Sequence, residues 1–311
     1  MGRPLVSIVI PTYKRTDELL RLLRSVKHST YPPEAIEVII IDNAQDSQLE
    51  RLVQEVFENA LVITPSTNLH CNAARRLGSQ ASHGEYIFLI DDDNTLEPEC
   101  IDALVEAFAS NPKLGAVGPV MLDGNSDTIW CAGARVTKFG TARHLWHGHE
   151  LHRTDLPEMV TGVDYFPNAC MVSRDALLEV PFDDINFPRG WAEIDFGLRM
   201  LAAGFSAASA ARAIERHHVG YHGALTRPGP PSKAYEQAKS RILFRKRYLS
   251  RISDWLIFWL VVFPASTVVY TLHIMRRSHA RLETLAAYFH GTFDGIRQPL
   301  ASLPNANIER D

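Results

Sequence analysis

No Cys-x-x-Cys pair occurs among the four cysteines, Cys71, Cys100, Cys131 and Cys170, which stand about thirty residues or more apart. Their spacing argues against a cysteine-rich zinc site and a disulfide scaffold, and makes a reducing compartment the default. An excess of one charge is missing as well. The 32 Lys and Arg against 36 Asp and Glu give a net charge of −4, so no global basic field draws nucleic acid, and none is expected as a partner. The opening MGRPLVSIVIPTYKR has no long apolar core and no small-residue cleavage site, so no secretory signal is expected. What is present is an ordinary globular composition, 46% hydrophobic and 22% charged over 311 residues. That excludes a wholly disordered or collagen-like chain and gives room for about two domains at roughly 150 residues each.

The first half alternates two kinds of segment. Val6 to Ile10 is a β-branched run stopped by Pro11 and reads as a buried strand. Asp17 to His28 places Leu19, Leu20, Leu22, Leu23 and Val26 at helical spacing before Tyr31-Pro32-Pro33. The same logic predicts strands at 37–41, 61–64, 86–90 and 115–121, and helices at 46–59, 72–82 and 98–109. Strands separated by helices of this length mean βαβ units, hence an α/β fold with a mostly parallel sheet. Ligands bind such sheets at the C-terminal strand ends, which directs attention to Thr12, Asp42, Asn43, Asn68 and Asp91 to Asp93. Residues 123–180 read as long loops and antiparallel strands, 191–204 as a helix, and the proline-rich stretch 222–234 as a mobile loop.

The last quarter changes character. Trp255 to Met275, WLIFWLVVFPASTVVYTLHIM, contains no charged side chain. As a helix it would reach about 31 Å, enough for a bilayer core. Pro264 at its midpoint suits a kinked span or a shallow hairpin. Basic residues flank it on both sides: Arg245, Lys246, Arg247 and Arg251 before, Arg276, Arg277 and Arg281 after. That symmetry favours a re-entrant or in-plane anchor, and the basic run suits anionic headgroups. The expected organisation is a catalytic domain over 1–235, with a donor half to about 122 and an acceptor half beyond it. Residues 236–311 would then form a basic helix, an apolar anchor and a tail.

Ile90-Asp91-Asp92-Asp93-Asn94 is the strongest chemical signal. Three adjacent acids after an apolar strand repel one another unless a cation sits among them. Alternation at a strand end lets Asp91 and Asp93 converge on one ion. Hard oxygen ligands point to Mn²⁺ or Mg²⁺ shared with substrate phosphates; the plainer reading is an acidic turn capping the next helix.

The ordered set Pro11-Thr12-Tyr13-Lys14-Arg15, then Val38-Ile39-Ile40-Ile41-Asp42-Asn43, Asn68-Leu69 and the acidic triplet resembles the inverting glycosyltransferases of family 2, which adopt the GT-A fold. Phe182-Asp183-Asp184, Trp191-Ala192-Glu193-Ile194-Asp195-Phe196-Gly197-Leu198-Arg199, His217-His218 and Ser240-Arg241-Ile242-Leu243-Phe244 continue the likeness. It covers roughly residues 5–250. The resemblance implies a GT-A Rossmann-like sheet carrying a nucleotide-sugar donor on Pro11, Thr12, Tyr13, Arg15, Asp42, Asn68, Arg76, Asp91 and Asp92. Asp42 would serve the base and ribose, and Lys14 stands where Asn is commoner. A metal would sit on Asp91, Asp93 and His217.

Inversion needs one base to take the acceptor hydroxyl proton. The acids of the 191–199 segment stand at i and i+2, so they cannot share a helix face. By the family match Glu193 falls on the catalytic aspartate and Asp195 on the second, with Glu in place of Asp and Ala192 in place of an acid. Asp195 remains the alternative base. Asn72, Arg75 and Arg76 lie on a helix near the donor side, where an arginine either meets phosphate or faces solvent. His144, His147, His149 and His152 read as loop residues near the acceptor. The expected activity is metal-dependent transfer of a sugar from a UDP or dTDP donor to a glycan or polyprenyl-linked saccharide. It would take place on the cytoplasmic face of a membrane, with lipids and a second copy of the chain as further partners. An inactive nucleotide-binding scaffold and a nucleotidyltransferase are the rival readings, although VIPTYKR contains no Gly-rich phosphate loop.

Overall fold

In a computed structural model, residues 2–137, 139–218, 230–278 and 280–303 are described. The chain begins β1 (Val6–Thr12), α1 (Thr16–Lys27), β2 (Ile36–Asp42), α2 (Leu49–Val56), β3 (Leu61–Ile63), α3 (His70–Gln80) and β4 (Tyr86–Leu89). It continues through β5 (Asn94–Leu96), α4 (Cys100–Ser110), β6 (Leu114–Asp123), β7 (Ile129–Cys131), β8 (Ala134–Val136), β9 (Ala142–His144), β10 (Met159–Val160) and β11 (Cys170–Ser173). Then follow α5 (Arg174–Glu179), α6 (Ala192–Ala202), β12 (Ser206–His217), α7 (Pro231–Tyr248), α8 (Ile252–Ile257), α9 (Phe263–Arg277) and α10 (Arg281–Arg297).

The main sheet runs β10-β12-β6-β11-β4-β1-β2-β3. Pairs β1·β2, β1·β4, β2·β3 and β12·β6 are parallel, and β11 lies antiparallel between β4 and β6. The α/β expectation holds, and the reason is visible in β1: all seven of its residues are buried, because helices cover both faces of a parallel sheet. The α1 leucines and Val26 form its inner face as their spacing required.

Three elements depart from the expected order. The acidic turn leads directly into a short strand, β5, that pairs with the end of β12. Residues 174–179 form a helix, capped by the Ser173 hydroxyl accepting from the Ala176 N–H. Residues 206–217 form a twelve-residue strand. Its Ala-rich sequence has neither β-branched enrichment nor clean alternation, so the neighbours β6 and β5 impose the extended state. Of the stretch read as a mobile loop, 222–229 lies outside the described residues. From Pro231 it is instead the first turn of α7, where Pro at the first helical position lacks only an N–H that would be unpaired anyway.

The boundary expected after residue 235 falls inside α7. Beyond it comes the apolar helix: Ile252–Arg276 is long and apolar enough to cross a membrane, with mean hydropathy 1.8 and only 6% of its most apolar window buried. Residues 258–262 widen into a π-helical turn immediately before Pro264, which relieves the clash of the proline ring with the preceding turn. Helix α10 then packs along α7, tied by Tyr235 to Asp294 at 2.8 Å and by Lys246 to the Gln298 carbonyl at 2.8 Å. Asn186 holds both the N–H and the carbonyl of Ala301.

Candidate active site

The C-terminal ends of β1, β2 and β4 place Thr12, Asp42 and the acidic triplet along one edge of the sheet, with Thr12 in register with Asp42. There they open a cleft of about 280 Å³ whose walls include Pro11, Thr12, Tyr13, Asn68, Asp91 and Asp92. Arg15, Asn43, His70, Cys71 and Arg189 complete it.

Two arginines lie among the acids. Arg15 Nη1 lies 3.2 Å from Asp92 Oδ1 and 2.6 Å from Asp93 Oδ2. The Thr12 hydroxyl donates to Asp92 Oδ2 at 2.7 Å. Burial still pushes the Asp92 carboxyl up to about 6, against the Thr12 hydrogen bond and the Arg15 charge. Asp91 turns the other way, 2.7 Å from Arg75 Nη2, and Arg75 Nη1 reaches Glu193 Oε1 at the same distance. Arg75 is 3% exposed. The expectation of a phosphate contact or a solvated face is therefore corrected: α3 points this arginine inward, under the cleft. Burial alone would lower its pKa, but Cys71, Asp91 and Glu193 outweigh that and keep the guanidinium charged.

Among the described residues no three His, Cys, Asp or Glu side chains form a ready-made cage. Two do face one another. His217 Nε2 is 3.6 Å from Asp93 Oδ1, and that oxygen is buried with no hydrogen-bond partner. An orphaned carboxylate oxygen opposite an imidazole nitrogen fits a divalent cation whose other ligands are phosphate and water. The His217 ring leans on Trp130, centroids 4.8 Å apart. The next residue, His218, donates its backbone N–H to the Asp93 carbonyl at 2.9 Å. Beneath lies a buried amide–acid network: Asn168 Nδ2 donates to Asn94 Oδ1 and to Glu215 Oε1. Burial, reinforced by Asp91 and Asp93, raises Glu215 well above the usual carboxylate range.

Several expected site residues are engaged elsewhere. Asp42 does not line the cleft; both its oxygens accept backbone N–H groups, from Ala44 at 2.9 Å and Asp46 at 2.7 Å, and Asn43 takes the wall position. Arg76 forms a two-pronged pair with Asp184 and is not among the residues that line the cleft. Asp195 is fully buried, accepting from Arg199 Nε at 2.7 Å, Arg247 Nη1 at 2.6 Å and the Tyr248 hydroxyl at 2.8 Å. It fastens α6 to α7 and has no face toward the cleft. Lys14 sits at φ +56°, a left-handed conformation that Asn tolerates better than Lys. Of the histidines read as acceptor-side residues, His144 stands edge-on to Trp130 and the His147 Nδ1–H donates to the Trp130 carbonyl at 2.9 Å. His70, Cys71 and Arg189 line the cleft without any signal in the sequence, and the His70–Arg189 contact joins positions far apart in the chain.

A family profile described as Glycosyl transferase family 2 matches residues 7–179, over half of the chain. A glucosyl-dolichyl phosphate glucuronosyltransferase of Haloferax volcanii is 32% identical over 122 residues, 36% of this chain and 37% of that protein. The chain thus spans little more than a third of that relative's length. Among solved structures, the GalNAc-T7 complex with UDP, GalNAc and Mn²⁺ superposes with a TM-score of 0.65 at 14% identity, over 82% of this chain and 50% of the other. The mannosyltransferase PcManGT of Pyrobaculum calidifontis, in complex with GDP-Man and Mn²⁺, gives 0.56 at 15% identity, over 96% and 77%. Both are similar in fold.

Proposed function

Because this chain belongs to glycosyl transferase family 2, we propose that it is a metal-dependent inverting glycosyltransferase using a UDP- or dTDP-sugar. Its acceptor is a glycan or lipid-linked saccharide presented at the cytoplasmic face of a membrane. The observation that carries this reading is the pairing of Asp93 Oδ1 with His217 Nε2 across 3.6 Å beside a cleft walled by the Pro11–Tyr13 segment.

In this reading Asp93 and His217 hold Mn²⁺ or Mg²⁺, with Asp91 across the cleft on Arg75. A cation held by Asp93 and His217 would supply Lewis-acid stabilisation of the departing diphosphate. Pro11, Thr12, Tyr13, Asn43 and Asn68 form the wall on which the nucleoside rests. Arg15 keeps Asp92 and Asp93 in place and lies at the cleft for a phosphate oxygen. Glu193 receives the proton of the acceptor hydroxyl as that oxygen attacks the anomeric carbon from the face opposite the diphosphate, which inverts the centre. Arg75 fixes one oxygen of that carboxylate, and a fixed carboxylate loses little entropy on reaching the transition state.

The test uses the full chain in detergent with UDP-, dTDP- and GDP-sugars, scoring nucleoside diphosphate release with Mn²⁺ and with EDTA. Release that needs metal and prefers one nucleotide supports the reading. Nucleotide binding without release from any donor identifies an inactive scaffold instead.

A further inference from the structure

A second, larger cavity of about 580 Å³ lies between α7, the α9 helix and α10. Its walls are apolar, with Val262, Ala265, Val269 and Tyr270 on one side and Trp191 on the other. It is continuous with the exposed helix that is apolar enough to enter a bilayer, on which Leu260 is 73% exposed. Among the described residues one charged side chain lines it, Arg241. Its guanidinium donates only to neutral oxygens, Ser266 Oγ at 3.0 Å and the Tyr288 hydroxyl at 2.6 Å, and its Nε is buried without a partner. One turn on, Arg245 is likewise held by carbonyls and by the Trp191 ring, 4.5 Å away, and burial beside Arg241 lowers it to about 9. One lining arginine with only neutral partners, backed by a second buried arginine one turn behind it, makes a place in an apolar wall for an anion that arrives on a hydrocarbon chain.

One short segment of chain contributes to both cavities. The segment 189–193 runs between the two sites: Arg189 lines the donor cleft, Trp191 lines the apolar cavity, and Glu193 meets Arg75. Trp191 is held at φ +70°, which lets successive side chains face the two cavities.

We propose that this cavity binds the prenyl-phosphate end of a lipid-linked acceptor, with the isoprenoid chain along α9 and a phosphate on Arg241, so that the saccharide beyond Trp191 reaches Glu193. The inference rests on the proposed function and names its acceptor class. The Haloferax relative's name, which contains glucosyl-dolichyl phosphate, agrees with that chemistry.

The test is binding, not turnover. The full chain in detergent is titrated with undecaprenyl monophosphate, with phosphatidylglycerol and with farnesol, and bound lipid is counted by native mass spectrometry. Wild-type protein should favour the prenyl phosphate over both controls by roughly tenfold or more, the worth of one charge-assisted contact. Arg241→Gln should abolish that preference. Ala265→Trp fills the cavity from an exposed helix position, so it should block prenyl phosphate with an unchanged melting temperature. Equal binding of phosphatidylglycerol, or undiminished prenyl-phosphate binding in Ala265→Trp, would overturn the proposal and leave only a surface that lipids coat. Nucleoside diphosphate release by the unmutated chain is scored separately. If it fails while selective lipid binding persists, the enzymatic reading falls and the cavity assignment stands.

Discussion

Arg75 and Glu193 stand 118 positions apart in the chain and 2.7 Å apart in space. The same guanidinium also holds Asp91 at 2.7 Å, so one buried cation sets the separation between an acid of the donor cleft and the carboxylate proposed to take the acceptor proton.

Arg75→Lys keeps the charge but cannot span two carboxylates with a planar fork. It should lower kcat by roughly tenfold or more through a misplaced Glu193 while KM for donor changes little. Arg75→Met leaves two carboxylates facing each other without their partner and should cost about 3 kcal/mol of stability, read by urea melts.

The two acids of α6 should separate cleanly. Glu193→Gln should reduce turnover by roughly 10²-fold while nucleotide binding, followed calorimetrically, is retained. Asp195→Asn breaks a three-donor clamp at zero exposure and should cost about 3 kcal/mol, seen first as a lower melting temperature. A clean turnover defect in Asp195→Asn with normal stability would reverse the two roles.

Asp93→Asn and His217→Ala should each weaken Mn²⁺ binding in the presence of UDP by roughly tenfold or more. Their double variant should lose less than the sum, because each removes half of one pair. Mn²⁺ electron paramagnetic resonance titration checks both statements.

Lys14 occupies a left-handed conformation that costs an ordinary residue about 1 kcal/mol. Lys14→Gly should raise the melting temperature by about 2 °C.

Glu37 supplies the acid limb of the stability profile. Burial would raise its pKa, yet hydrogen bonds from Ser7, the His83 N–H and the His83 ring hold the carboxyl below its ordinary 4.5. A depressed folded pKa means stability that is full above 4.5 and lost as pH falls through the lower, folded value. Glu37→Gln should flatten that decline, by about 2 °C in melts compared at neutral and acid pH.

The parallel half of the sheet was legible because β1, β2 and β4 are buried on both faces, and a continuous run of Val and Ile admits few other fates. Strand β12 was not, since Ser206 to Ala213 is small and featureless, and its extension comes from the pairing of Glu215 with Leu96 and with Met121. The acidic triplet announced a charged site, but not which cation meets which acid: Asp91 and Asp93 diverge to different arginines. Asp42 carried the family pattern yet spends both oxygens on its own loop. Such side chains are assigned by partners dozens of residues away, which periodicity does not encode.

Arg247 reaches back 52 residues to Asp195 and 64 to Asp183, and Ala301 reaches back 115 to Asn186. During synthesis, then, the helix bearing Glu193 leaves the ribosome with its buried aspartate still short of two of its three donors. It is fastened only when α7 emerges, and α7 is braced only once the apolar helix has passed and α10 returns. The C-terminal helices therefore complete the packing around α6 last, after every strand of the sheet has been made. Translation order thus puts the fastening of the Glu193 helix at the end of synthesis, and a chain stalled before α10 would carry that helix loose.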